Sequence, residues 1–180
     1  MSFELGHGGV RATAFLLDMN QVFEDFVVVA LRENLRISER AFPQGAKGRS
    51  IKLDMSRRIG LEPDISWWDG KNCNFVGDVK YKRISVSGIK HPDIYQLLAY
   101  TTATDLSGGL LIYAAGEAEA VQHEVVHLGK QLEVMTLDLQ GSPKTVLATI
   151  DIVAQRIRDL RAMAIRSRQL QDSATTVIVK

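Results

Sequence analysis

Two carboxylates and a lysine lie close together in the middle of the sequence, on the two sides of a turn. Asp64 follows Pro63 in one segment of extended pattern, and Asp78 and Lys80 lie on the next such segment. Mg²⁺ prefers one or two carboxylate ligands and keeps its other positions for water and phosphate oxygens. Residues of these types can therefore hold a divalent cation beside a phosphate, as metal-dependent hydrolysis of a phosphodiester bond requires.

Each of these residues has a predicted role. Asp64 and Asp78 would bind the metal, with the backbone carbonyl of Val79 as a third protein oxygen. Lys80 would hold or polarise the attacking water, or stabilise the negative charge that develops on the phosphoryl oxygens. The alternative is that all three are solvated charges on a hairpin, as most carboxylates on protein surfaces are.

The hairpin that would position them is predicted from two apolar segments, 59–68 and 74–82, joined by Asp-Gly-Lys-Asn at 69–72. Because successive side chains of a strand point to opposite faces, Asp78 and Lys80 share one face of the second strand. They interrupt an otherwise apolar and aromatic strand, and charges at half-buried strand positions need partners or a ligand. The pattern therefore favours a functional site over solvated surface charges.

Composition predicts an ordinary globular domain. The chain has 180 residues, 46% of them hydrophobic, and a formal net charge of +1, so a nucleic-acid-binding surface would have to be local. The single cysteine, Cys73, excludes an internal disulfide and is typical of a reducing compartment. No apolar run approaches the roughly 18 residues of a membrane span, so no membrane association and a cytoplasmic location are predicted.

The order of helical and extended patterns predicts an α/β domain with a mixed central β-sheet flanked by helices. Helices are predicted at 15–35, 93–104 and 144–170, and further strands at 38–42, 110–115, 120–128 and 132–139. Residues 1–14 are predicted to be a flexible N-terminal segment or linker, 15–170 the domain, and 171–180 a loose C-terminal tail.

The motif formed by Pro63-Asp64 and Asp78-Val79-Lys80 resembles the signature of the PD-(D/E)xK nuclease superfamily. Further passages are similar to the nuclease domain of McrC-type proteins, the cleavage subunits of bacterial modified-cytosine-dependent restriction systems. These passages are Leu17–Val27, Asp78–Lys82, and Asp93–Tyr100 followed by Gly109–Tyr113. The resemblance runs from Phe15 to Tyr113 and continues more loosely through the final helix.

The resemblance implies a restriction-endonuclease-like core, with Asp64 and Asp78 as metal ligands and Lys80 as the catalytic lysine. It implies Mg²⁺ as the cofactor, which Mn²⁺ can replace. Glu24 is similar to the acidic residue that related nucleases place on the first helix, facing the metal. The alternative for Glu24 is an exposed acid near a helix N-terminus, where the helix dipole favours negative charge.

Gln96 and Tyr100 resemble a motif found beside the active site in the RecB-like branch of these nucleases. Four residues apart on a helix, they share a face and could contact the DNA backbone or brace Lys80. A buried Tyr100 that serves only the core is the alternative.

The function that the resemblance implies is Mg²⁺-dependent cleavage of double-stranded DNA in a restriction or antiviral defence system, together with a GTP-hydrolysing AAA+ subunit of the McrB type. McrC-type nucleases also carry an N-terminal domain that reaches into the AAA+ ring, whereas residues 1–14 alone precede the matching helix in this sequence. A stand-alone RecB-like nuclease and a catalytically inert DNA-binding module are the alternatives. Because cutting both strands usually requires two active sites, a homodimer or a larger assembly is expected.

Several basic residues are predicted to contact DNA. Lys82 and Arg83 follow directly from the catalytic strand and are expected to bind phosphates beside the metal. A second group in the preceding loop is expected to do the same: Arg36, Arg40, Lys47, Arg49 and Lys52. A third group is expected to form a solvated helix face or a partner contact: Arg156, Arg158, Arg161, Arg166 and Arg168. Trp67 and Trp68 could stack on bases, but at least one of them should belong to the core, because adjacent strand residues face opposite ways.

His123-Glu124-Val125-Val126-His127 fits the His-Glu-x-x-His pattern of zinc peptidases. That pattern binds zinc only on a helix, where residues four apart share a face. The local sequence is rich in β-branched residues and is predicted to be a strand, on which the two histidines would lie about 13 Å apart. The match is therefore interpreted as chance.

Overall fold

The computed structural model describes residues 4–5, 12–13, 18–45, 49–82, 91–114 and 121–178, of which 4–5, 12–13 and 174–178 are described by their backbone alone. Arg83 and Lys47, both predicted to contact DNA, lie outside these ranges. Within the segment predicted to be flexible, two short strands, β1 (Glu4–Leu5) and β2 (Ala12–Thr13), pair antiparallel.

The described part of the chain is built around a mixed sheet of five strands, in the order β5-β6-β7-β9-β8. These strands are β5 (Ile65–Asp69), β6 (Asn72–Lys80), β7 (Gly108–Ala114), β8 (Val121–Glu124) and β9 (Gln131–Leu137). The three central strands β6, β7 and β9 run parallel, and β5 and β8 add antiparallel to the two edges. A second small pair, β3 (Ile51–Lys52) and β4 (Gly60–Leu61), lies apart from this sheet.

Helices cover both faces of the sheet. α1 (Met19–Leu35) and α3 (Pro143–Ile178) pack on one face, over a core that includes Phe75 and Val79 of β6. α2 (His91–Ala103) packs on the other face, over a second core that includes Val76. The prediction of an α/β domain with a mixed central sheet is confirmed, and the arrangement is consistent with a restriction-endonuclease-like core.

α1 begins and ends where its sequence provides caps. The Asp18 carboxylate accepts a hydrogen bond from the backbone N–H of Asn20 at 3.0 Å, which satisfies one of the amides that a helix leaves unpaired at its first turn. Arg36 ends the helix in the left-handed conformation, with φ of 53°. Asp is one of the residues preferred at this position, so the start of the helix is consistent with its sequence.

The predicted hairpin is confirmed, with a tighter turn and a bulge. Asp69 pairs with Asn72, so that Gly70 and Lys71 alone form the turn, and Gly70 has the positive φ of 61° that glycine adopts without strain. The register shifts between Trp67 and Trp68, a β-bulge that the sequence did not indicate.

Four predicted elements differ from the observed ones. The strand predicted at 120–128 ends at Glu124 and is followed by a turn. The strand predicted at 38–42 is a series of turns, and the first hairpin segment is divided into β4 and β5 by the Pro63 region. The final helix extends to Ile178, so the prediction that the chain is loose from 171 onward is wrong for 171–178. The sequence there contains neither proline nor glycine, the two residues that most strongly end a helix.

Candidate metal and phosphate site

Asp64, Asp78 and Lys80 meet at the carboxyl end of β6. The ammonium nitrogen of Lys80 lies 3.9 Å from Oδ2 of Asp64 and in close contact with Oδ2 of Asp78. Period two places Asp78 and Lys80 on the same face of β6, as predicted, and the antiparallel pairing of Ile65 with Gly77 brings Asp64 alongside. Open sheets with parallel strands commonly bind ligands at this end of the strands.

The position of Asp64 is fixed by backbone contacts on both sides. Its carboxylate Oδ2 accepts a hydrogen bond from the backbone N–H of Val79 at 2.8 Å. Its own carbonyl accepts a hydrogen bond from the N–H of Gly45 at 3.1 Å, next to the bridge between Gln44 and Ile65. The hydrogen bond to Val79 therefore holds the Asp64 side chain against β6.

Burial makes the site electrostatically unfavourable for two ionised carboxylates. Asp78 is fully buried, and this burial raises its pKa above the usual range despite the contact with Lys80. Burial and the negative charge of Asp78 together raise the pKa of Asp64 to about 7. The pKa of Lys80 is also raised: burial opposes its charge, but the adjacent carboxylates outweigh that effect.

These residues fit a divalent cation. Both carboxylate oxygens of Asp78 are buried, and the Lys80 ammonium contacts Oδ2, which leaves the lone pairs of Oδ1 available to a metal. With Asp64 and Asp78 ionised, Lys80 balances only one of two negative charges, so another cation would be stabilised. Within the described ranges, however, no group of three or more His, Cys, Asp or Glu side chains is placed to hold a metal. Two carboxylates without a third are enough for Mg²⁺, because this ion takes one or two carboxylates and completes its shell with water. The Val79 carbonyl remains a predicted third ligand.

Glu24 lies close to this site without joining it. Its carboxylate accepts a hydrogen bond from the amide of Gln44 at 2.9 Å. Burial raises the pKa of Glu24, the Gln44 hydrogen bond opposes that increase, and the negative charge of Asp64 adds to it. α1 therefore presents Glu24 toward the Asp64 side, and its catalytic role stays a prediction.

Gln96 and Tyr100 are linked on one face of α2, as their spacing predicted. The amide of Gln96 donates to the hydroxyl oxygen of Tyr100 at 2.6 Å, and the Tyr100 hydroxyl donates to the backbone carbonyl of Glu62 at 3.1 Å. Tyr100 is only 2% exposed, so it has almost no surface for the predicted contact with DNA. The hydrogen bond instead ties α2 to the segment that carries Asp64, two residues after Glu62.

Replacing Tyr100 by Phe should test this bracing role. We expect the loss of the hydroxyl to lower the free energy of unfolding by about 1 kcal/mol, because the Glu62 carbonyl loses its donor. We also expect slower metal-dependent DNA cleavage, since the Asp64 segment loses an anchor. Tyr95→Phe is the matched control, because Tyr95 lies on the same helix and is 64% exposed. Equal unfolding free energies and equal cleavage rates for the two variants would refute the role.

Lys82 has a different partner from the one predicted. Its ammonium nitrogen lies 2.9 Å from Oδ1 and 2.7 Å from Oδ2 of Asp93, at the start of α2. Asp93 is buried and also accepts a hydrogen bond from the hydroxyl of Tyr113. The pair holds the end of β6 against the start of α2, which favours a structural role for Lys82 over a free phosphate contact. Asp93 was not predicted as a site residue, although an acid in the first turn of a helix is a recognisable signal.

A protein-family comparison bears on the identity of the chain. Residues 1–114 match the model of the family described as McrBC 5-methylcytosine restriction system component. The chain belongs to this McrBC family. The match includes Glu24, Asp64, Asp78, Lys80, Gln96 and Tyr100, which are the predicted site residues within the described ranges, together with Lys82 and Val79.

Among solved structures, a chain of the Thermococcus gammatolerans assembly described as McrB AAA+ hexamers with bound McrC is similar to this one. The identity is 16% and the TM-score 0.47, over 78% of this chain and 34% of that chain. The McrBC-family chain thus spans about a third of the length of that relative. No match was found among proteins with curated functions.

Two features of this McrBC-family chain concern other predicted functions. In the motif His123-Glu124-x-x-His127, β8 ends at Glu124 and His127 has a positive φ of 65°, so the segment is not the helix that a zinc site requires. Among the described helices, none is long and apolar enough to cross a membrane.

Arg156, Arg161 and Arg168 are anchors rather than parts of a solvated face, contrary to prediction, whereas Arg166 is exposed. Arg156 forms a paired contact with the buried Glu133 of β9, and Arg161 lies 2.7 Å from Asp69 and stacks 4.6 Å from the Trp67 ring. Arg168 donates to the Cys73 carbonyl. Planar guanidinium groups make such paired and stacked contacts well, and here they fix α3 to the sheet.

The tryptophans and one loop arginine are also committed to packing. Trp67 is buried against Phe42, with ring centroids 6.1 Å apart. Trp68 is half-buried on the α2 side, where Arg49 stacks 4.9 Å from its ring and donates to the Gly70 carbonyl at 2.8 Å. Trp67 is therefore too buried to stack on a base, and Arg49 covers one face of the Trp68 ring.

Proposed function

We propose that this chain is a metal-dependent DNA nuclease of the PD-(D/E)xK type that serves a McrBC-type restriction system. The observation that carries the proposal is the meeting of Asp64, Asp78 and Lys80 in one half-buried site, with negative charge in excess. A solvated hairpin would not bury Asp78 completely. Membership of the family supports the restriction system as the biological setting.

Each side chain has a chemical task in this proposal. Asp64 and Asp78 would hold Mg²⁺, which when bound neutralises phosphoryl charge and acidifies a coordinated water. Lys80, 21% exposed at its side chain, can reach a phosphate oxygen or an attacking water while its carbon stem stays packed. Tyr100 keeps the Asp64 segment in place through Glu62. Glu24 can orient water from the α1 side.

We further propose double-stranded DNA as the substrate and a GTP-hydrolysing AAA+ subunit as the partner. The family description names a 5-methylcytosine restriction system, and the similar solved chain comes from an assembly of McrB AAA+ hexamers with bound McrC. A homodimer would provide the two active sites that a double-strand break requires. A stand-alone RecB-like nuclease and an inert DNA-binding module are the competing functions.

Plasmid cleavage decides among these functions. The chain is incubated with methylated and unmethylated plasmid in EDTA, Mg²⁺ or Mn²⁺, with and without GTP and a McrB-type subunit. We expect cleavage only with metal, and dependence on GTP if the AAA+ partner drives the enzyme. Cleavage that ignores methylation, GTP and partner would support a stand-alone nuclease, whereas DNA binding without cleavage in either metal would support the inert module.

Lys80→Ala should abolish most of this cleavage. Removing a group that stabilises transition-state charge typically costs about 10²- to 10³-fold in rate. The variant should also be less stable, because Asp78 is then buried without its cation. Lys144→Ala, at the exposed start of α3, is the control for rate. An undiminished rate for Lys80→Ala in Mg²⁺ would eliminate the catalytic role of Lys80.

A further inference from the structure

A short arm formed by β3, β4 and their connecting turn, residues 51–61, packs at its base and is exposed at its tip. At the base, Ile51 is buried and Leu61 packs against the same core as α2. At the tip, Met55 is completely exposed, at 101%. The flanking apolar side chains Leu53 and Ile59 are 41% and 51% exposed. The three exposed apolar side chains within these eleven residues are accessible to a ligand.

The turn of the arm is held in one conformation by Asp54. Its Oδ1 accepts a hydrogen bond from the N–H of Ile59 at 2.7 Å, and its Oδ2 accepts one from the hydroxyl of Ser56. The N–H of Arg57 donates to the Asp54 carbonyl at 2.9 Å, and Arg57 has a left-handed backbone, with φ of 58°. Asp54, the single acid of the turn, therefore accepts hydrogen bonds within the turn itself. These bonds hold the arm in one conformation before a ligand binds.

Basic side chains surround the arm. Lys52, Arg57 and Arg58 belong to it, and Lys71 lies on the turn between β5 and β6. Between the arm and that turn lies a cleft of about 540 Å³, whose described lining includes four basic residues and one acid: Lys52, Arg57, Lys71, Arg168 and Asp54. Because Asp54 is committed to its own turn, the cleft presents net positive charge to solvent.

This basic cleft lies within reach of a duplex held at the candidate site. Leu61 precedes Asp64 by three residues, so the base of the arm is within about 10 Å of it. At the other end, Asn72 precedes Asp78 by six residues on the same strand, which spans about 20 Å. Phosphates of one strand are about 3.4 Å apart along the axis, so the cleft would meet the backbone about six base pairs from the scissile phosphate.

We propose that the arm is a second DNA-binding element, in which Lys52, Arg57 and Lys71 bind backbone phosphates and Met55 enters the minor groove. This inference rests on the proposed nuclease function and extends it by naming where the duplex runs. Proteins that read the shape of the minor groove combine basic contacts with an apolar wedge such as Met, Leu or Ile. The arm offers this combination, and its charge complements a polyanion better than an apolar protein surface.

Binding measurements with the cleavage-blocked Asp78→Asn protein test the arm. The probe is a fluorescent 30-base-pair duplex, titrated by anisotropy from 50 to 200 mM salt. The arm variant is Arg57→Asn with Lys71→Gln, because Asn tolerates the left-handed backbone of Arg57. Its charge-matched control is Lys144→Gln with Arg166→Gln, two exposed basic residues of α3. The apolar variant is Met55→Ala, which should not alter the melting temperature.

The expected results differ in kind between the variants. Loss of two phosphate contacts should weaken binding about 10-fold or more and reduce the slope of log K against log salt by about 2. Met55→Ala should weaken binding about 3- to 10-fold without changing that slope, because its contact is apolar. Affinity equal to the control in either variant would overturn the proposal. So would unchanged DNA affinity together with weaker binding of a McrB-type subunit.

Failure of the arm proposal can be distinguished from failure of the nuclease proposal. If the otherwise unsubstituted chain cuts DNA but arm variants bind as tightly as the control, the arm is refuted and the nuclease stands. If arm variants lose affinity while that chain cuts nothing in any metal, the arm stands and the nuclease is refuted.

Discussion

Asp78→Asn should abolish metal-dependent DNA cleavage and, in EDTA at pH 8, make the protein more stable. Cleavage should fall by 10³-fold or more, by analogy with the loss of a principal electrostatic contributor. The free energy of unfolding should rise by about 1 to 3 kcal/mol, because a completely buried carboxylate is replaced by a neutral side chain of the same shape. Opposite effects on activity and stability are typical of residues retained for function.

The control for this experiment is Asp105→Asn, which removes one carboxylate charge at an exposed position between α2 and β7. Asp105 has a positive φ of 52°, which Asn also tolerates, so its stability should change little. Urea unfolding in EDTA measures stability, and plasmid nicking in Mg²⁺ measures activity. A marked loss of stability in Asp78→Asn would mean that the ion pair with Lys80 outweighs burial, and that Asp78 is structural.

The candidate site could be predicted from the sequence because its geometry follows from strand periodicity and a two-residue turn. Asp78 and Lys80 must share a face, and Gly70 permits the turn that brings Asp64 across. Both are local rules that hold wherever the strand lies in the fold. The same rules explain why the elements of the sheet were largely found.

The partners of the charged side chains could not be predicted, because they depend on contacts between distant elements. Arg156 and Arg168 belong to a helix with an ordinary charged pattern, yet they meet Glu133 and the Cys73 carbonyl more than twenty residues away. The same holds for Lys82, whose contact with Asp93 depends on how α2 returns over β6. Local patterns give the periodicity of an element, whereas the rotation of one element against another is set by packing.

The hydrogen bond from Tyr100 to Glu62 is another contact between distant elements that the sequence could not predict. Helical spacing correctly pairs Tyr100 with Gln96. Its hydrogen bond to the Glu62 carbonyl, 38 residues away, requires α2 to lie over the segment before β5. Only the fold shows that a motif residue assigned to DNA binding is buried, and that its influence on the site passes through the backbone.

The unfolding free energy of the chain should fall as pH rises from about 4 to about 7 in EDTA, and Mg²⁺ should reverse that fall. Burial and the charge of Asp78 raise the pKa of Asp64 from an ordinary 3.8 to about 7 in the folded chain. Between these two pKa values the folded state binds more protons than the unfolded state. The contribution of Asp64 to the unfolding free energy is therefore fully present below pH 4 and is lost as the pH rises through 7. Three pKa units correspond to about 4 kcal/mol as an upper limit, and about 2 to 4 kcal/mol is expected. Asp78 and Glu24, whose pKa values are also raised, act in the same direction.

Mg²⁺ should stabilise the protein only where the carboxylates are ionised. At a hundredfold excess over its dissociation constant, a ligand of the folded state adds about 2.7 kcal/mol. The stabilisation by Mg²⁺ should therefore be near zero at pH 4.5 and approach that value at pH 8. Asp64→Asn retains an acceptor for the Val79 N–H, so its folded structure should persist while both the pH slope and the Mg²⁺ effect decrease. Urea unfolding at five pH values, with EDTA or Mg²⁺, measures all of these quantities. A Mg²⁺ effect that is independent of pH, or unchanged in Asp64→Asn, would place the bound metal elsewhere in the protein.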